Sequence, residues 1–259
     1  MTDIVIASTQ ADAMAAAAVE RHHAEMAGAL ATMVEELVLS ASRSDGAAAI
    51  AAQHSLAAWC AQELVPHALA EEKAMYPAAE AIAAARLLIT AMVAEHGTIV
   101  DLVAEVQTAP DMVRAAAAAR ALQVTFTSHL AKENELILPL LVATPEVSVA
   151  ELLSGLHELL GEQSDTLDTE SGCGHSCTCG ENSGTGYPEL DARLVPHAIR
   201  HATIFGALDS VASGTGMVLV APHDPLPLLA QIEDRSPGAF EVNYLERGPD
   251  AWRLEFVRT

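Results

Sequence analysis

Two segments of this chain carry the same pattern, H-x3-E-x5-P. One is His67 and Glu71 followed by Pro77; the other is His129 and Glu133 followed by Pro139. Four residues of α-helix turn through about 400°, so each His and its Glu fall within about 40° on one face. Each helix can therefore present one imidazole and one carboxylate to the same point. Two further histidines sit on apolar helical stripes. His23 has Met26, Leu30 and Met33 at +3, +7 and +10, and His96 has Ile99, Val103 and Val106 at the same offsets. The order is His23, His67/Glu71, His96, His129/Glu133: two half-bundles, each of the form H…HxxxE.

The rest of the first half is helical by pattern. Apolar residues make up 51% of the 259 residues and aromatics only 3%, and alanine with leucine favours helix over β-sandwich. Helices are predicted at about 9–42, 47–76, 79–106 and 110–141, with a shorter one at about 149–160. Ser8 or Thr9 caps the first; Pro66 bends the second and Pro77 ends or kinks it. Short connections imply an up-down-up-down all-α four-helix bundle.

Four histidines and two glutamates inside a bundle suit two divalent metals, with Glu71 and Glu133 bridging and His23, His67, His96 and His129 capping. The absence of thiolates argues against a structural zinc site. A mixed nitrogen and oxygen shell favours two Fe, with Mn second. Six ligands do not saturate two six-coordinate irons, so solvent or a small gas completes them. His22 points about 100° away from His23 and replaces it only if helix one is rotated. His54 faces away, Glu72 is solvated or supports the ligands, Cys60 is buried and inert, and His157 is on the surface.

Composition shifts at 161–186 to Gly, Ser, Thr, Asp and Glu, an acidic linker. It holds Cys173, His175, Cys177 and Cys179, which could bind a metal or accept sulfide, or form an exposed redox-active tract. From residue 187 strands and helices follow in the order βαβαββ, a small α+β domain. His197, His201 and His223 in it form either a second metal or anion site near helix N-termini, or caps and packing. The expected domains are thus 1–160, 161–186 and 187–259.

Lys+Arg 13 against Asp+Glu 35 gives a formal charge of −22. That excludes gripping nucleic acid or an anionic membrane by surface charge. The N-terminus lacks a basic, apolar leader pattern, and the most apolar stretch, about 82–93, is interrupted by Arg86, so no membrane span is expected. Few, unevenly spaced cysteines fit a reducing cytoplasm.

These residues carry a resemblance. The stretch from Glu63 to Pro77, Glu95-His96, and the stretch from Phe126 to Pro139 resemble the helix signatures of the hemerythrin-like HHE cation-binding domains. The resemblance covers about 10–145 and implies a non-haem di-iron centre bridged by two carboxylates. The oxygen-carrying hemerythrins have a second histidine one turn along helix three. Here Met92 and Val100 flank His96, which implies one more open iron and favours peroxide, nitric oxide or iron-sensing chemistry. The segment 188–258, with Glu189, Arg193, Arg200, His201, His223 and Trp252, resembles DUF2249, a bacterial family of uncharacterised function. Its order is similar to that of the TusA/SirA sulfur carriers, but Val195 stands before Pro196 where those have a reactive cysteine. The expected function is binding of O2, NO or peroxide for sensing or detoxification under oxidative or nitrosative stress. The alternative is iron handling or iron–sulfur repair, with the C-terminal domain docking a protein partner.

Overall fold

The computed structural model describes residues 9–43, 45–154, 186–195 and 200–259. Helix α1 (Gln10–Ser42) starts at Thr9, whose hydroxyl accepts from the Asp12 amide. Chain reversal at Asp45, which caps through the Ala48 amide, opens α2 (Gly46–Trp59). A π-helical turn, Cys60–Leu64, leads into α3 (Val65–Ala74) and then α4 (Tyr76–Ala81). The second predicted helix is thus one column in three pieces. Pro66 has no N–H and its ring crowds the carbonyl four residues back, so the ladder widens and Val65 bonds Cys60 instead.

Helix α5 (Arg86–Thr108) begins later than the predicted 79, because Ile82 is extended and the chain turns there. The alanine-rich sequence around it is helix-prone, so only the need to reverse direction marks the turn. By length and composition α5 could cross a membrane, with a best 18-residue hydropathy of 1.6. Its buried face, Ile89, Met92, His96, Ile99, Val103 and Val106, lies in the bundle. Helix α6 (Met112–Lys132), capped by Asp111, runs through a second π-helical turn, Glu133–Ile137, into α7 (Leu138–Val142). Pro139 follows this turn as Pro66 follows the first. Helix α8 is described over 149–154.

Two apolar layers fill the bundle. One contains Leu30, Leu56, Leu64, Ile99, Leu122 and Phe126; the other contains Val19, Tyr76, Met92, Ile137, Leu138 and Leu141. The histidines fall at their junction. His23 lies between Val19 and Met26, and His96 between Met92 and Ile99. A polar layer is thereby enclosed by apolar ones on both sides.

The C-terminal part is β1 (Glu189–Asp191), α9 (Arg200–Ser210), β2 (Gly216–Ala221), α10 (Leu226–Arg235), β3 (Phe240–Arg247) and β4 (Trp252–Arg258), the predicted βαβαββ order. Its sheet runs β1-β2-β4-β3, with β1 parallel to β2 and β4 antiparallel to both neighbours. Strand β4 inserts between β2 and β3, and Met217, Leu219, Leu254 and Phe256 pack with Ile204, Leu208, Leu228 and Ile232. Helix α9 lies against α1.

Candidate metal centre

Four elements each deliver a histidine to one place: α1 gives His23, α3 His67, α5 His96 and α6 His129. Glu71 comes from α3, and Glu133 opens the second π-helical turn. None of the six is more than 4% exposed. Polar groups that deep in an apolar bundle require partners, and these partner one another. Glu71 Oε1 is 3.1 Å from His23 Nε2 and 3.0 Å from His67 Nε2, while its Oε2 is 3.8 Å from His96 Nε2. Glu133 Oε1 is 3.5 Å from His129 Nε2, and its Oε2 is 3.9 Å from His23 Nε2. The Nε2 atoms of His96 and His129 are 2.9 Å apart.

The outer ring nitrogens are held from behind. His23 Nδ1 donates to Asn134 Oδ1 at 2.8 Å, His96 Nδ1 to Glu72 Oε1 at 2.7 Å, and His129 Nδ1 to Glu95 Oε2 at 3.1 Å. Glu95 also pairs with Lys132. Fixing a proton on Nδ1 turns the Nε2 lone pair inward, the arrangement that metal-ligating histidines adopt.

Three buried atoms, His67 Nδ1, His67 Nε2 and Glu133 Oε2, make no hydrogen bond among the described residues. His67 Nε2 is near Glu71 in distance but not aligned for a bond. A cation is the partner that inward lone pairs and an orphaned carboxylate oxygen fit. The donor atoms form two groups, His23/His67/Glu71 and Glu71/His96/His129/Glu133, each with its atoms within 4.8 Å of one another. Glu71 is common to both.

The electrostatics agree. Burial opposes a charged His23, but its hydrogen bond to Glu71 and the charges of Glu133 and Glu71 prevail and push its pKa up to about 9. Burial also opposes ionised Glu71, yet His67 and His23 hold it well below the usual carboxylate range. His129 is raised in the same way, burial being outweighed chiefly by Glu133. The cluster draws positive charge inward.

Sequence reading passed over Tyr76. Its ring stacks on His96 with centroids 5.4 Å apart. Its hydroxyl donates to Glu133 Oε1 at 2.7 Å and lies 3.2 Å from His129 Nε2 and 3.4 Å from His96 Nε2. The available signal was its place immediately before the repeat's Pro77.

Of the adjacent pair, His23 enters the cluster. His22 stays half-buried outside it, its ring 5.1 Å from that of His67. His54 is exposed, and Glu72 supports His96. Cys60 is buried, and burial pushes its thiol up to about 12. His157, Cys173, His175, Cys177, Cys179 and His197 lie outside the described residues. His201 and His223 are exposed and line one cavity; among the described residues they join no group able to hold a metal.

A helical bundle that encloses shared histidine–carboxylate groups is, as a class, a cation-binding bundle. Residues 14–141 match the family model of the hemerythrin HHE cation binding domain. Residues 189–258 match that of an uncharacterised conserved protein family, DUF2249. The chain therefore carries a hemerythrin HHE domain followed by a DUF2249 domain, in that order. No curated protein and no solved structure matches the chain.

Proposed function

We propose that the buried cluster is a non-haem di-iron site that binds O2, nitric oxide or peroxide, serving sensing or detoxification under oxidative or nitrosative stress. The observation that carries this reading is that Glu71 belongs to both donor groups. On this reading His23 and His67 would hold one iron and His96 and His129 the other, with Glu71 and Glu133 as the carboxylates shared between them. When bound, such a pair supplies open coordination positions and redox chemistry for a small ligand.

The chain's own residues set the conditions. Asn134, Glu72 and Glu95 keep Nε2 of His23, His96 and His129 turned inward. Tyr76 keeps its proton, because burial and then the Glu133 charge raise its pKa, so it remains a donor at Glu133. Beside Glu71 a gap of about 10 Å³ opens among Val19, Met75, Leu152 and Leu153. That is room for roughly one water-sized body, and apolar walls favour a small neutral molecule over a larger or charged one.

Metal content and optical spectra under air, NO and peroxide test the reading. Two irons per chain, with charge-transfer bands altered by one of these ligands, are expected. Less than one metal per chain after iron loading, or unchanged content in Glu71→Ala/Glu133→Ala, would overturn it. Iron delivery or iron–sulfur repair depends instead on the tract 173–179. Changing Cys173, Cys177 and Cys179 to Ser leaves peroxide turnover intact on the reading proposed and abolishes delivery on the other.

A further inference from the structure

A cavity of about 360 Å³ opens in the C-terminal domain, away from the histidine–glutamate cluster. Its position follows from the topology. Strands β1 and β2 are parallel and joined through α9, so their C-terminal ends lie at the same end of the sheet, and α9 and α10 both begin there. In open parallel α/β sheets ligands bind beyond the carboxyl ends of the strands, where helix N-termini point; here the one parallel pair, β1 and β2, has that local β-α-β arrangement within a mixed sheet.

The lining divides by chemistry. Ile204, Leu219 and Leu228 supply apolar wall, while Arg200, His201 and His223 supply cationic or hydrogen-bond-donating groups. Arg200 is anchored by bonds from Nε and Nη2 to Val195 O at 3.2 and 2.9 Å, which fixes its guanidinium at the wall. No carboxylate stands among the described lining residues, in a chain with 35 acidic residues and only 13 Lys and Arg. Neighbouring Asp224 accepts instead from Tyr244 Oη, at 2.8 Å. A cation site would need carboxylates, and a purely apolar site would not gather an arginine and two histidines. Helices α9 and α10, of 11 and 10 residues, add the positive ends of their dipoles.

We propose that this cavity binds a small organic oxyanion, a carboxylate or phosphomonoester, with its charged group at Arg200, His201 and His223 and its apolar body on Ile204, Leu219 and Leu228. The volume suits such a molecule, being near the lower end of the roughly 300–1,000 Å³ of ligand pockets. This site goes beyond the iron reading and does not rest on it.

Calorimetric and NMR titration of the full chain tests it, with hexanoate, benzoate and phenyl phosphate as probes beside hexan-1-ol and inorganic phosphate. At least one organic anion should saturate a single site below about 10 mM and shift the amides of Leu219, His223 and Leu228. Hexan-1-ol and inorganic phosphate should each bind about tenfold more weakly or worse. Arg200→Gln should weaken binding about tenfold. Because Arg200 also ties down Val195, His223→Gln at an exposed position serves as a second variant and should weaken binding several-fold. The proposal is overturned if none of the three anions saturates, if the alcohol or inorganic phosphate binds equally well, or if both variants bind like the native chain.

Discussion

At the scale of single residues, the side chains behind the cluster matter as much as those in it. Glu72 is partly exposed and follows the repeat's Glu71, so by position alone it reads either as solvated or as a support for the ligands. The structure puts its Oε1 2.7 Å from His96 Nδ1, where it decides which nitrogen of His96 carries the proton. Losing such a support typically lowers metal affinity about 10–100-fold. Glu72→Ala should therefore weaken iron binding by that factor in a chelator competition while leaving helix content unchanged. Affinity equal to that of the native chain would remove Glu72 from the site. Tyr76 teaches a related lesson. Its hydroxyl reaches Glu133 on another helix column, and no periodicity within its own helix encodes that contact.

At the scale of elements, the helices are interrupted where the site needs them to be. Both π-helical turns come just before a proline at the start of the next helical piece, Pro66 in α3 and Pro139 in α7. Pro66 was legible as a bend, while the predicted helix over 110–141 runs on through Pro139; the widened turns were not legible, because they depend on how the freed carbonyls find new partners. A second local device holds α8. Asp12 is buried, and its Oδ1 accepts from the Ala150 amide and the Ser148 hydroxyl, both at 3.1 Å. Its carboxyl lies below its ordinary value of 3.8, owing first to the Thr9 hydroxyl and then to the Ala150 amide. A lowered carboxyl pKa means the support is complete above the ordinary value and is lost as pH falls through the lowered one. Protection of the Ala150 amide against hydrogen exchange, taken relative to its intrinsic rate at each pH, should fall below about pH 4. Asp12→Ala should show the reduced protection at neutral pH already. A native exchange rate in that variant would show that α8 is held by its apolar contacts alone.

At the scale of the whole molecule, two glycines set how the domains meet. A Cβ at Gly28 of α1 would come 2.1 Å from Thr203 O of α9, and one at Gly206 of α9 would come 2.1 Å from Glu25 O of α1. The two backbones touch where side chains would keep them apart. Gly206→Leu should separate the domains, increasing the radius of gyration and the protease sensitivity between them, with each domain's secondary structure retained. An unchanged radius would mean that the docking tolerates bulk at the crossing. Helix α1 thus presents His23 to the bundle and its glycine face to α9. The sequence by itself determined the helical bundle, the βαβαββ order and the residues of the histidine–glutamate set. Those follow from periods of 3.6 and 2 and from breakers, all properties of a few neighbouring residues. Tertiary structure alone decided that Glu71 serves both groups, that Tyr76 joins them and that α9 rests on α1. Each of these depends on the rotation and separation of whole helices, which packing of distant side chains sets and no local pattern records.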